Sequence, residues 1–279
     1  MKKVMTLLQL TGLLLILTLI LPINSFANQT TRIISIGPSA SSILLALGES
    51  NSIIGVDQES LNFPQLHDKA NIGYLRTLTT EGILSLKPTI IFAVTDAQPK
   101  STIEQLKSFH IKTISLKPTD TINHILENIH IMGDALKLKD RANQLITHIQ
   151  KQIDIAKINI KQPKPKILVL MQYGPNSLYI LGKNTNAQTW LNFVDANNAV
   201  TFSGIHPASN EGLLNTNATI ILLATNQVHL PNQYKDTLTY LLKNNTIRLI
   251  KININLLEQF GADFGKNYVQ LTKLIYQPS

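Results

Sequence analysis

A phenol and a guanidinium stand two positions apart, Tyr74 and Arg76, in the run Asn71-Ile72-Gly73-Tyr74-Leu75-Arg76, and a lone carboxylate, Glu81, follows within Thr79-Thr80-Glu81-Gly82-Ile83-Leu84. The run reads as a ligand-binding loop feeding a helix whose first turn is acidic. In an extended loop, residues two apart share one face, so Tyr74 and Arg76 can act together. Taken singly, a loop tyrosine is more often a packing residue whose hydroxyl satisfies a backbone carbonyl, and an arginine more often pairs with a carboxylate. The acidic helix start recurs: Asn210-Glu211-Gly212-Leu213-Leu214 lies 130 positions later, and Thr89-Ile90-Ile91-Phe92 has Thr219-Ile220-Ile221-Leu222 at the same offset. Two halves therefore share one plan. At each start the carboxylate favours the helix dipole by about 0.3–1 kcal/mol.

Other chemistry is sparse. The seven histidines, at 67, 110, 124, 130, 148, 206 and 229, form no HExxH pair and no helical i, i+4 pair, which argues against a built-in zinc site. No Gly-x-Ser-x-Gly elbow, Walker loop or GxGxxG fingerprint occurs, and Gly37-Pro38-Ser39 is too short for a phosphate cradle. Nothing nominates a nucleophile together with a base, so binding without catalysis is expected.

The elements that must position these residues follow from periodicity. Short β-branched runs at Arg32 to Ile36, Ile53 to Val56, Ile90 to Val94 and Ile111 to Leu116 predict strands separated by segments long enough for helices, which is the spacing of an α/β lobe. Ser39 to Leu47 predicts the first helix, with Pro38 before it and Gly48 as the stop. Helical spacing returns from Thr121 to Met132 and again from Leu138 to Ile160, about 20 residues or roughly 30 Å. The second run, closed by Gln162-Pro163-Lys164-Pro165, predicts a rigid strut over 138–162 between lobes at 28–137 and 163–279. Beyond it, Lys166 to Met171, Ser177 to Leu181, Thr219 to Ala224 and Ile247 to Ile250 predict strands, with Gly174-Pro175-Asn176 as a turn and a last helix through Phe264, Tyr268, Leu271 and Ile275.

The first residues predict export. Met1-Lys2-Lys3 precedes an apolar run from Val4 to Ile23, and Ser25-Phe26-Ala27 suits signal-peptidase cleavage with Asn28 as the mature start; a retained membrane anchor is the alternative, since the run approaches the roughly 20 residues that span a bilayer. The chain has no cysteine, which removes disulfides, thiolate metal sites and a lipid-modified signal cysteine. Losing Lys2 and Lys3 from the 25 basic residues leaves 23 against 17 acidic ones, with no basic run among aromatics, which argues against a nucleic-acid groove. The diffuse positive balance suits solubility or an anionic ligand.

The export signal, two α/β lobes, one connecting helix and repeated Glu-Gly-apolar-apolar run resemble the helix-linked class of periplasmic substrate-binding proteins for ABC importers. Within it, Gly73-Tyr74-Leu75-Arg76 and Leu78-Thr79-Thr80-Glu81-Gly82 look like the hemin-binding subfamily, related to corrinoid and ferric-siderophore binders. The resemblance implies a ligand cleft between the lobes, a monomer in the periplasm, and hemin as transported ligand rather than catalytic cofactor. It implies that Tyr74 is the axial ligand of the heme iron, with Arg76 either favouring the phenolate or pairing with a propionate. It further implies that Glu81 and Glu211 dock on a transmembrane permease whose ATPase drives release. The sequence departs from the subfamily in the second lobe, where a common His-Gly pair is replaced by Tyr173-Gly174; either Tyr173 makes a second contact to the ligand, with Met171, Gln172 and His206 as weaker candidates, or the iron is five-coordinate with Tyr74 alone attached. Lys183, in Gly182-Lys183-Asn184-Thr185, is expected at the pocket rim, and His206 on the cleft side opposite the Arg76 region.

Overall fold

The computed structural model describes residues 31–244 and 247–277, so the export-signal reading of residues 1–27 lies outside the described residues. The chain first alternates strand and helix: β1 (Ile33–Ile36), α1 (Pro38–Ala46), β2 (Ile53–Val56), β3 (Ala70–Asn71), α2 (Thr80–Leu84), β4 (Ile90–Ala93), α3 (Lys100–Ser108), β5 (Lys112–Ser115) and α4 (Ile122–Leu136). The strands form one parallel sheet in the order β3-β2-β1-β4-β5. The long helix α5 (Lys139–Lys157) follows, ending five residues short of the expected Gln162.

The second half contains β6 (Lys166–Tyr173), β7 (Ser177–Leu181), α6 (Asn186–Phe193), β8 (Asn197–Asn198), β9 (Ile205–Pro207), α7 (Asn210–Leu214), β10 (Ile220–Ala224), α8 (Asn232–Asn244), β11 (Arg248–Ile252) and α9 (Phe264–Tyr276). Its sheet runs β11-β10-β6-β7-β9, with β8 beside the start of β6. The repeat is visible in register: Ile90 of β4 pairs with Ile33 of β1, and Ile220 of β10 pairs with Ile167 of β6, all parallel. The halves diverge on the other side of that pair. Where the first half adds parallel β2 and β3, the second adds antiparallel β7 and β9. The cause is local: Gly174, at φ +71°, opens a tight turn that no L side chain favours, and the chain folds straight back along β6.

The central strands β1, β4, β6 and β10 are buried on both faces, as parallel strands under two helical layers must be, while the edge strands β5 and β9 are more exposed. Along β6, Ile167 and Val169 enter the central core while Leu168 and Leu170 enter the outer one; β10 alternates likewise through Ile220, Leu222 and Ala224 against Ile221 and Leu223. The central core is continuous between the halves, running from Ile33 and Phe92 through Ile149 and Ile153 of α5 to Phe264 and Tyr268. Within it the single tryptophan, Trp190, is fully buried and stacked between Phe260 and Phe264, each 5.2 Å away by ring centroid.

Helix α5 is wedged rather than suspended, packing on α4 of the first lobe and α9 of the second. Close approach depends on one small residue per contact. A Cβ at Gly133 of α4 would overlap the Cβ of Ala142, and one at Gly265 of α9 would lie 3.1 Å from the Ile149 Cα. Arg141 adds a hydrogen bond, its Nη1 donating to the Leu47 carbonyl at 2.7 Å. Gly133→Ala is therefore expected to destabilise by about 1–3 kcal/mol through overpacking, although an unpacked helix would gain roughly 1 kcal/mol from that substitution. Urea unfolding reads the sign, and adding Ala142→Gly should recover part of the loss.

Candidate functional site

In open α/β sheets ligands bind outside the carboxyl ends of the strands, and α1 and the segment after β11 both start from such ends. The contact between lobes is made there. The Ala262 amide, from the segment after β11, donates to the Ser42 hydroxyl of α1 at 3.1 Å, and a Cβ at Gly261 would lie 2.6 Å from the Ser39 carbonyl.

On the first-lobe side the Tyr74 loop leaves β3 and is fixed by its backbone. The Ile72 amide donates to the Val56 carbonyl (3.0 Å), Gln58 to Gly73 (2.9 Å), Thr77 to Tyr74 (2.8 Å) and Gln98 to Leu75 (2.9 Å). Gly73 sits at φ +100° with its amide donating to Asn71 Oδ1 at 2.8 Å, a bend that needs glycine. The loop is thus held while its side chains stay out. Tyr74 is 42% exposed and its hydroxyl has no hydrogen-bond partner among the described residues, unlike a packing tyrosine. Arg76 is also exposed and has no ion-pair partner among them.

On the second-lobe side, Tyr173 ends β6 and is 72% exposed. Its neighbour Gln172 is buried: its Nε2 donates to the His229 carbonyl at 2.9 Å, its Oε1 accepts from the Thr225 hydroxyl at 3.1 Å, and the exposed Val228 is presented alongside His229. Lys183 is set well apart from Tyr173 along the sheet. Ser177 pairs with Tyr173, and the chain then runs back along β6, so Lys183, six residues on, is about 20 Å from Tyr173 at ~3.3 Å per residue. His206 pairs with Ile180 on the edge strand β9, its Nε2 3.0 Å from the Ser203 carbonyl and its ring 4.5 Å from that of Phe202.

Sequence reasoning passed over a carboxylate group at the joint. Asp57, at the end of β2, is fully buried and accepts four hydrogen bonds: from the Gly37 amide and the Ser60 hydroxyl, both at 2.6 Å to Oδ2, and from the Glu59 and Ser60 amides, both at 3.1 Å to Oδ1. A buried hydroxyl chain, Ser35 to Ser41 at 2.8 Å and Ser41 to Ser60 at 2.9 Å, holds that arrangement from behind. Beside it Glu59 is half-buried, and its Oε2 is buried with no partner. Desolvation, then the charge of and hydrogen bonding to Asp57, then the charge of Glu258 push Glu59 up to about 7, while Arg76 pulls the other way. Glu258 belongs to the second lobe, at the end of the 3-10 turn Ile254–Glu258; although the residue as a whole is exposed, desolvation of its carboxyl and then the charge of Asp57 raise it too. No local signal could have revealed this group, because Glu59 and Glu258 are far apart in sequence.

Glu81 and Glu211 occupy matching places. Each is exposed in the first turn of a five-residue helix, α2 or α7, whose N-cap hydroxyl accepts from the following glycine amide: Thr79 from Gly82 at 3.3 Å, and Ser209 from Gly212 at 3.0 Å. The glycines have a physical reason. A Cβ would come within 2.8 Å of the Thr79 hydroxyl and 3.1 Å of the Ser209 hydroxyl, pressing on the caps.

Residues 33–251 match the sequence profile of the family described as periplasmic binding protein. The chain is 25% identical over 177 residues to an uncharacterized ABC transporter substrate-binding lipoprotein of Bacillus subtilis (61% of this chain, 56% of the relative). It is 26% identical over 183 residues to a vitamin B12-binding protein of Photorhabdus laumondii (62% of each). Both matches span less than two thirds of the relative. A crystal structure of a periplasmic heme binding protein from Pseudomonas aeruginosa superposes with a TM-score of 0.71 at 25% identity, over 89% of this chain and 94% of that one.

Proposed function

The chain belongs to the periplasmic binding protein family, and from that premise we propose that it captures hemin outside the cytoplasm and hands it to an ABC transporter permease for import. The observation that carries this reading is Tyr74: an exposed phenol with no partner among the described residues, on a loop fixed at its backbone beside the lobe joint. A phenolate is a hard anionic oxygen donor that favours ferric over ferrous iron, which suits capture of oxidised heme. Ligation displaces the phenol proton, and Arg76, two residues along and without an ion-pair partner among the described residues, can favour the anion or pair with a propionate. Tyr173 supports the opposite face from the second lobe.

Delivery would rest on Glu81 and Glu211, exposed at equivalent points of the two lobes, where a permease carrying two cationic sites could engage both. The role is binding and handover, with no chemical step, in the periplasm after export. Among the described residues no helix is long and apolar enough to cross a membrane.

A corrinoid is the second reading, favoured by the relatives named for vitamin B12 binding. Titration of purified residues 28–279 with hemin and, separately, with cobalamin tests both. An intense, saturable visible band with hemin alone supports the first reading; saturation with cobalamin alone replaces it with the second; saturation with neither rejects both.

A further inference from the structure

The carboxylates at the lobe joint share their hydrogen bonds unevenly. Asp57 takes four donors, whereas the buried Oε2 of Glu59 takes none. An ionised Glu59 would hold a desolvated oxygen without a donor, beside a second carboxylate already supplied with them. The proton therefore belongs on Glu59. The third member, Glu258, comes from the other lobe, a few residues before the Gly261–Ala262 contact with α1. The charged groups acting on Glu59 are Asp57 from β2, Glu258 from the 3-10 turn and Arg76 from the loop after β3, with the Gly37 amide at the start of α1 bonded to Asp57.

We infer that Glu59 is a proton-operated latch between the lobes: protonated, it lets the joint close against Glu258, and on releasing its proton to solvent it leaves three carboxylates facing one arginine, which drives the lobes apart. The lobes share a continuous apolar core through α5, so the repulsion acts on the polar rim of the joint, where the Ala262 amide meets the Ser42 hydroxyl, and the widening stays within the limited hinge that one connecting helix allows. The linkage has a definite sign. A carboxyl whose folded-state value is raised contributes stability that is full below its ordinary range, and that contribution is lost as pH rises through about 7.

The absence of native cysteine makes the test direct. Ser101→Cys on α3 and Lys235→Cys on α8, both exposed, accept a pair of spin labels whose separation is measured by pulsed dipolar spectroscopy at about pH 5.5 and about pH 8.5. No cargo is added, so the outcome is independent of the hemin reading. The wild-type separation should lengthen at the higher pH and the melting temperature should fall. Glu59→Gln should remove most of both responses, and Glu258→Gln should reduce them. A separation and melting temperature unchanged across that range would overturn the latch, as would a Glu59→Gln protein that keeps the full wild-type response. If Glu59→Gln does not fold, a Glu258→Gln response equal to wild type overturns it equally.

Discussion

Tyr74→Phe is expected to weaken hemin binding by roughly 10–100-fold or more, since even outer-sphere partners of a bound metal are worth that much, and to abolish the ligand-to-metal charge-transfer absorption of a phenolate-bound ferric iron. The substitution isolates the oxygen. Phenylalanine keeps the ring and its apolar contact, and the loop's conformation is set by backbone bonds from Ile72, Gln58, Thr77 and Gln98 that the side chain does not enter. A loss of affinity can therefore be assigned to iron coordination rather than to a collapsed loop. A corrinoid that arrives with its own axial ligands would take nothing from that oxygen, so unchanged cobalamin binding alongside lost hemin binding would separate the two cargoes. An unaltered hemin spectrum would remove Tyr74 from the ligand role.

Reversing charge at both docking positions, Glu81→Lys with Glu211→Lys, should reduce import to the level of cells lacking the protein while hemin affinity stays within about twofold, as expected for exposed substitutions away from a site. Each helix also loses the roughly 0.3–1 kcal/mol that a first-turn carboxylate gains from the helix dipole. Thermal melting of the double variant separates this cost from a failure to dock. Single reversals should fall between, because one of two contacts remains. Normal uptake by the double variant would leave the two glutamates as helix-start residues only.

The regular part of the fold is plain in the chain. β-Branched runs at Ile53–Val56 and Ser177–Leu181 form strands with the expected ends, and the apolar spacing from Leu138 onward forms α5. The 130-residue repeat predicted matching helix starts, and the matching caps at Thr79 and Ser209 explain why glycine follows each glutamate. Two-residue strands such as β3 and β8 were not foreseeable, because so short a segment has no periodicity and exists only through its neighbour's hydrogen bonds. The distance between Tyr173 and Lys183 could not be read from motif order for a related reason: the reversal at Gly174 sends the chain back along β6, and only pairing register reveals how far. The carboxylate group joins residues from both ends of the chain, a tertiary property that no local pattern encodes.

The aromatic stack in the core has a practical consequence. Trp190 is the sole indole in the sequence, and its partner Phe260 lies two residues beyond Glu258 on the segment that touches the first lobe. Intrinsic fluorescence at that ring should therefore register any rearrangement of the hinge, in unlabelled protein and in real time.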